Sequence, residues 1–340
     1  MRHGLVQHDF GKDAADGRMD GVELRDGALR SARLGGAFAR EGFFESAPVA
    51  LPFPAREMVL TWNTRTPFGC GMKARFGVGS EGDVWSGWFE MGDWGAADAG
   101  GRRCEDRVFG RLEADVLRAT RDFSSVRYRF DMRSCGGASP ALRLVTICFS
   151  GGNLEADGTE YEFDPGSGFD LEVPWVSQFN PREVWDAGMR NAGVCAPASL
   201  VMALRRLGVR VSVHETAKAV FDYGAGIYGN WAYAAAAAGE YGLRAWVQRF
   251  SRWDDLLDLV REGVAPVISV AYEKGGLRGA SVERTGGHLM VVRGWTAGGG
   301  IVCNDPAAAD EERGKAVVFD RRELGRAFFG HGGAAVIVTR

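Results

Sequence analysis

The sequence predicts two units of different fold class. An all-β sandwich over residues 1–150 precedes an α+β domain over 171–340, in which a helical layer lies on an antiparallel sheet. Three observations predict this. Short strand-like runs with turn signals fill the first half, and helical periodicity is scarce there. An acidic, Gly-rich stretch of few large aliphatics, GGNLEADGTEYEFDPGSGFD, covers 151–170 and reads as a linker. Beyond it, helices with start signals come first and apolar strands cluster later, the order of an α+β layer fold.

Composition sets the outer limits. The chain has 340 residues, long for one core and comfortable for two. It is 46% hydrophobic and 25% charged, as soluble globular proteins are. Its net charge of -3 offers no basic field for nucleic acid or anionic membrane. The first residues, MRHGLVQHDFGKDAADG, read as a polar tail without the apolar core of a secretory signal. No stretch approaches the roughly 20 apolar residues that span a bilayer. The expectation is therefore a soluble, cytoplasmic protein.

In the first half, Glu57–Trp62, Lys73–Val78, Val84–Met91 and Ser125–Met132 mix apolar, aromatic and polar residues in near alternation. The phrase DVWSGWFEMGDWG brings three Trp together, with Trp62 nearby. Trp at alternate strand positions reads first as sandwich core, and second as a platform for a glycan ligand. Asp83, Glu90, Asp93 and Asp115 are weak calcium candidates, because no loop spacing supports such a site and solvated turns explain them.

In the second half, Ser212 with Glu215, Ser251 with Asp254, and Asp320 with Glu323 have capping-box spacing. Strands are expected at Pro266–Ala271, Leu289–Val292, Gly300–Cys303, Val317–Phe319 and Ala334–Val338. An Ala run stands at Ala234–Ala238.

The chemistry begins with cysteine. The six cysteines are spread without a CxxC pair, so neither a structural zinc nor any other metal or cofactor is expected. Five read as small buried apolar residues. Cys195 differs. In NAGVCAPASLVMALRRLG, Leu200, Val201, Leu204 and Leu207 recur at helical spacing, Pro197 fits only a first turn, and Gly208 suits a stop. Cys195 thus opens a helix, where free amides and the macrodipole favour a thiolate.

A thiolate nucleophile needs a base that later protonates the leaving amine. Of five His, His3 and His8 fall in the tail, His214 in a helix start and His331 in a Gly-rich loop. His288 follows two glycines and opens the strand HLMVVRGW, a rigid mount. Asp305 ends the next strand, IVCND, and is preferred to Asn304 as the group that orients the ring. The Cys195 amide and the side chain of Gln178, in VPWVSQFN, are candidate oxyanion donors. Trp231 and Trp295 are candidate cleft walls or core aromatics.

The order Gln178, Cys195, His288, Asp305 resembles that of the papain-like cysteine peptidases. VPWVSQ, CAPASLVMALRRLG, GGHLMVVRGW and CNDP resemble a narrower branch, the family thirty-nine-like cysteine peptidases, kin of domains that trim leader peptides from bacteriocins. The resemblance covers about half the chain. It implies a papain-like fold, Cys195 as nucleophile, His288 as base, Asp305 as orienter, Gln178 as oxyanion donor, and a peptide or protein substrate. The first half resembles the extra β-domain that precedes such peptidases in some soluble bacterial proteins. Two departures stand out: leader-trimming relatives are usually fused to membrane transporters, and the stretch from Gln178 to Cys195 is longer than in papain. The same residues also suit isopeptide cleavage, deamidation or transpeptidation. A binding protein with a peptidase-like scaffold is the competitor from another class.

Overall fold

The structure, a computed structural model, describes residues 1–80, 82, 84–95, 102–152, 161–179 and 193–340. Asp83 and residues 180–192, most of the long stretch before Cys195, lie outside these residues.

The N-terminal region is built almost wholly of antiparallel strands in one branched, 13-stranded sheet. Its principal strands are β1 (Arg2–Asp9), β2 (Val49–Arg65), β3 (Gly71–Ser80), β4 (Gly110–Glu113), β5 (Val116–Arg133) and β6 (Ala141–Gly151). The expected runs lie within longer strands, except Val84–Met91, which splits into Val84–Trp85 and Phe89–Gly95. Among the described residues the region's hydrogen bonding forms this one large sheet and a separate two-stranded ribbon, Arg33–Leu34 with Ala37–Phe38. β5 shifts register between Arg118 and Phe123 and again before Ser125, so it pairs with both β2 and β3. Such irregularities bend a long strand and let it change partner. The N-terminal tail is also corrected. Arg2–Asp9 is β1, paired along its length with β6. His3 Nδ1 lies 2.8 Å from Ser150 Oγ, and His8 Nδ1 lies 2.6 Å from the Tyr128 hydroxyl.

The C-terminal region holds α1 (Cys195–Arg206), α2 (Val213–Val220), α3 (Trp231–Glu240), β7 (Arg244–Arg249), α4 (Trp253–Arg261), β8 (Val267–Tyr272), β9 (Thr285–Trp295), β10 (Ile301–Asn304), β11 (Val317–Phe319), α5 (Arg321–Phe329) and β12 (Ala334–Thr339). The strands run antiparallel in the order β7-β12-β8-β9-β10-β11, with Phe169–Asp170 pairing on β9. The five expected strands are β8 to β12. The Ala run is the body of α3, buried on every side, which is why it lacks polar punctuation.

The three capping signals diverge. Ser212 and Glu215 form a reciprocal box. Asp320 caps α5, but Glu323 turns to Arg278 instead. Ser251 caps nothing. α4 starts after Arg252, and the Ser251 hydroxyl donates to the Met1 carbonyl. Residues 161–170 of the expected linker dock on the C-terminal region: Tyr161 meets Phe329, and Phe163 packs edge-on against Trp295.

One hydrophobic core runs through both regions, with Trp62 and Phe130 of the β region continuous with Tyr233 and Ala235 of α3. Asn63 fastens the seam. Its Nδ2 donates to the Ala235 and Ala245 carbonyls at 3.2 and 2.7 Å, and its Oδ1 accepts from the Ala245 amide at 2.8 Å. Among the described residues no helix is long and apolar enough to cross a membrane.

Candidate active site

Cys195 is the first residue of α1. Val194 precedes it as N-cap with no side-chain cap, so the first-turn amides remain open to an anion. Leu200, Val201 and Leu204 bury the stripe that seats α1. Gly208 adopts φ +87°, the left-handed turn that ends the helix region.

α1 lies against β9, which carries His288. A side-chain tie sets their register: Ser199, one turn beyond Cys195 on the same helix face, donates its hydroxyl to the Leu289 carbonyl at 3.0 Å.

His288 is buried, and its ring lies close enough to the Cys195 thiol for each to shift the other's pKa. On its other side Nε2 lies 2.8 Å from Asp305 Oδ1. Asp305 is fully buried and also accepts from the amides of Ala307 at 2.9 Å and Ser281 at 3.3 Å. Asn304 faces elsewhere: its Oδ1 accepts from Arg293 and the Ala316 amide, and its Nδ2 donates to Val173. The alternation of the strand thus aims Asp305, not Asn304, at the ring.

The electrostatics follow from the geometry. Burial alone pushes the Cys195 thiol up, but the hydrogen bond and charge of His288, with the Leu289 and Ala196 amides, outweigh it and hold the thiol below its ordinary value. Burial alone pushes His288 down, yet hydrogen bonds to Asp305 and Cys195 and both their charges raise it to about 9. Asp305 is held low by the same imidazolium despite its burial. The three groups favour thiolate, imidazolium and carboxylate together.

Gln178 is tied to the Asp305 strip by its backbone, which donates to the Pro306 carbonyl at 2.9 Å. Beside it, Trp175 Nε1 donates to the Asp305 carbonyl at 2.8 Å. The side-chain Oε1 of Gln178 is buried without a hydrogen-bond partner among the described residues. No hydrogen bond of its amide to Cys195 is seen, so its placement beside the thiol stays an expectation.

A cleft of about 670 Å³ opens at Cys195 and is lined by Trp231, Tyr228, Leu289 and His331 among others. Trp231 is a cleft wall. Trp295 is not: it stacks on Phe169 at 5.3 Å beneath the Arg261 guanidinium.

The chain carries two family signatures. Residues 170–324 match the model of the peptidase C39-like family, and residues 9–150 match that of the peptidase C39 N-terminal domain. Its C-terminal region is a C39-like peptidase family domain behind a C39 N-terminal domain. Among solved structures it is similar to a protein described as a C39-like peptidase from Bacillus anthracis, at 16% identity and TM-score 0.38, over 51% of this chain and 98% of that one. It is also similar to a double glycine motif protease from an AMS/PCAT transporter, at 20% identity and TM-score 0.33, over 52% and 99%. A structure of the infectious bursal disease virus Gt strain aligns at 13% identity and TM-score 0.25, over 45% and 34%. No curated protein matches the chain.

Within the C39 N-terminal domain, the described ligand candidates raised by the sequence have partners inside the fold. Trp62 and Trp94 are buried in the core, and Arg127 lies over the rings of both Trp85 and Trp88, 4.9 and 4.6 Å from their centroids. Glu90 pairs with Arg75, and Asp93 with Lys73. Asp115 is buried and accepts backbone amides of α3. Two cysteines depart from the buried expectation: Cys104 is half-buried, and Cys135 is exposed with its sulfur 3.6 Å from that of Cys70. Sequence reasoning passed over Ser199 and Trp175. Ser199 was findable, four residues after Cys195 and so on its helix face. Trp175 carried no comparable signal.

Proposed function

We propose that this C39-like family domain is a papain-like cysteine peptidase that hydrolyses peptide bonds through a thioacyl intermediate. The observation that carries the reading is that His288, hydrogen-bonded to Asp305, stands beside the Cys195 thiol at the open start of α1. In this reading the Cys195 thiolate attacks the scissile carbonyl carbon, and the π electrons move to the carbonyl oxygen. The protonated His288 then gives its proton to the leaving amine as the C–N bond breaks, leaving the acyl group on sulfur. Neutral His288 next takes a proton from water, which attacks the thioester. The tetrahedral centre collapses to a free carboxylic acid, and the sulfur returns as thiolate beside imidazolium. Asp305 fixes the ring through Nε2 and offsets its positive charge. The Cys195 amide and the Gln178 side-chain amide stabilise the oxyanion.

The test is cleavage of a defined peptide library in H₂¹⁸O by wild type and Cys195→Ala, read by mass spectrometry. Wild type should place one heavy oxygen in each new carboxyl terminus, and the variant should show no turnover. Products carrying an added amine instead of water would move the reading to acyl transfer. Cleavage retained by Cys195→Ala would refute the thioacyl route.

A further inference from the structure

The cleft wall beside Cys195 belongs to the C39-like domain but is held by the β region. Phe221, Gly226, Ile227, Tyr228, Gly229 and Trp231 line the cleft. They lie in the connection from α2 into the first residue of α3. Tyr228 and Phe221 pack with Val194, the residue that caps α1 in front of Cys195. This packing places the wall beside the thiol.

The connection contains Gly224, Gly226 and Gly229, so its own chain does little to restrict its shape. Asp222 gathers it. The Asp222 carboxylate is fully buried. Its Oδ1 accepts from the Gly224 and Ala225 amides at 2.9 and 3.0 Å, and its Oδ2 accepts from Asn230 Nδ2 at 2.7 Å. Its amide donates to the Ile227 carbonyl at 2.8 Å. A buried carboxylate of this kind needs a cation. The cation is Arg102 of the β region, whose Nη1 donates to Asp222 Oδ2 at 2.8 Å while Nη2 donates to the Tyr233 hydroxyl at 2.7 Å.

The far end of the wall is held from the same region. Asp115 sits at the tip of the β4–β5 hairpin, beside Ala114 in the left-handed conformation at φ +54°. Its Oδ2 accepts from the Trp231 amide at 2.6 Å and the Ala232 amide at 3.0 Å. These are first-turn amides of α3, groups with no partner inside their own helix. A charge from one region thus grips each end of a glycine-rich wall in the other.

We propose that Arg102 and Asp115 are positioning residues that set the peptide specificity of the cleft by fixing the 221–231 wall. The proposal rests on the peptidase reading. The wall presents Phe221, Ile227, Tyr228 and Trp231, so the peptide it receives carries an uncharged, apolar side chain next to the scissile bond.

Two thiol reagents on the full chain separate wall from thiol. Iodoacetamide needs only the Cys195 thiolate. A tripeptidyl chloromethyl ketone with an apolar residue beside the warhead needs the wall as well. Arg102→Ala and Asp115→Ala should lower the rate of the peptidyl reagent by about tenfold or more, a loss of cleft binding. Their iodoacetamide rates should stay within about twofold, because the thiolate is set by His288. Asp115→Asn keeps an acceptor and should recover most of the lost rate. Amide exchange over 221–232 should rise in both Ala variants. If the Ala variants do not fold, Arg102→Lys decides, since its single ammonium cannot bridge Asp222 and Tyr233 as the guanidinium fork does. A folded Arg102→Lys or Ala variant with an unchanged ratio of the two rates would overturn the proposal. Failure of the peptidase reading shows separately, in the wild type alone, as Cys195 labelling no faster than that of Cys104.

Discussion

The Asp305 corner and the Asp115 corner of this molecule each bury a carboxylate, and the two are driven in opposite directions. Asp305 accepts from an imidazole and is held below the usual carboxylate range. Asp115 accepts only from backbone amides, and burial pushes it up to about 6. Both lose water, so desolvation cannot distinguish them. The charged partner does: His288 touches one, while the other feels the like charge of Asp222. Burial thus prepares a group for a shift, and the partner decides its sign. The Asp305 corner keeps its charge for chemistry. The Asp115 corner keeps its charge at a cost to the fold and uses it to grip a helix.

The largest test of this contrast lies beside Asp305. Gln178→Ala should lower kcat about 10²-fold, the usual loss of an oxyanion donor, with little change in Cys195 alkylation. Equal losses in both would mean that Gln178 supports the fold of the corner instead of the transition state. The next test lies near Asp115, where Asn63 grips the same helix from behind. Asn63→Ala strands the Ala235 and Ala245 backbone groups. It should cost about 2–3 kcal/mol in urea unfolding. Because one core spans both regions, the transition should stay single.

The smallest effect belongs to the charge of Asp115 itself. A carboxylate raised to about 6 binds its proton more tightly in the folded chain than in the unfolded one. Its ionisation therefore removes stability as pH climbs from the ordinary carboxylate range to about 6, and the loss is complete above that. Asp115→Asn escapes the loss. Its melting temperature should equal or exceed that of wild type at pH 7.5, and the advantage should vanish near pH 4. A variant less stable at pH 7.5 than at pH 4, relative to wild type, would mean that the charged cap outweighs the burial.

The two corners also differ in how far the sequence discloses them. CAPASLVMALRRLG reveals a helix start because Pro197, the apolar stripe and Gly208 act on their own neighbours. GGHLMVVRGW and IVCND likewise read as strands, and alternation puts Asp305 rather than Asn304 on the side of the ring. Those signals are local, so a pattern can hold them. Asp115 looked like a solvated turn because the amides it accepts from lie more than a hundred positions away. Arg102 and Asp222 meet across a similar gap. β1 was misread for the same reason: RHGLVQHD has little apolar alternation, and what makes it a strand is β6, far along the chain. The Ala run gave no amphipathic stripe because α3 is buried all round. Ser251 and Asp254 had the spacing of a capping box, but the Ser251 hydroxyl found the Met1 carbonyl instead.

The pH dependence of Cys195 alkylation by iodoacetamide, in wild type and His288→Ala, tests the central claim most directly. With His288 in place the thiol is held low and the imidazole is raised to about 9. Labelling in wild type should therefore be fast well below pH 8, hold a plateau, and change again near pH 9 as the imidazolium loses its proton. In His288→Ala only burial and the Leu289 and Ala196 amides remain, and the onset should move to higher pH. The same onset in both proteins would contradict the account, since it would mean that no thiolate–imidazolium pair forms at the start of α1.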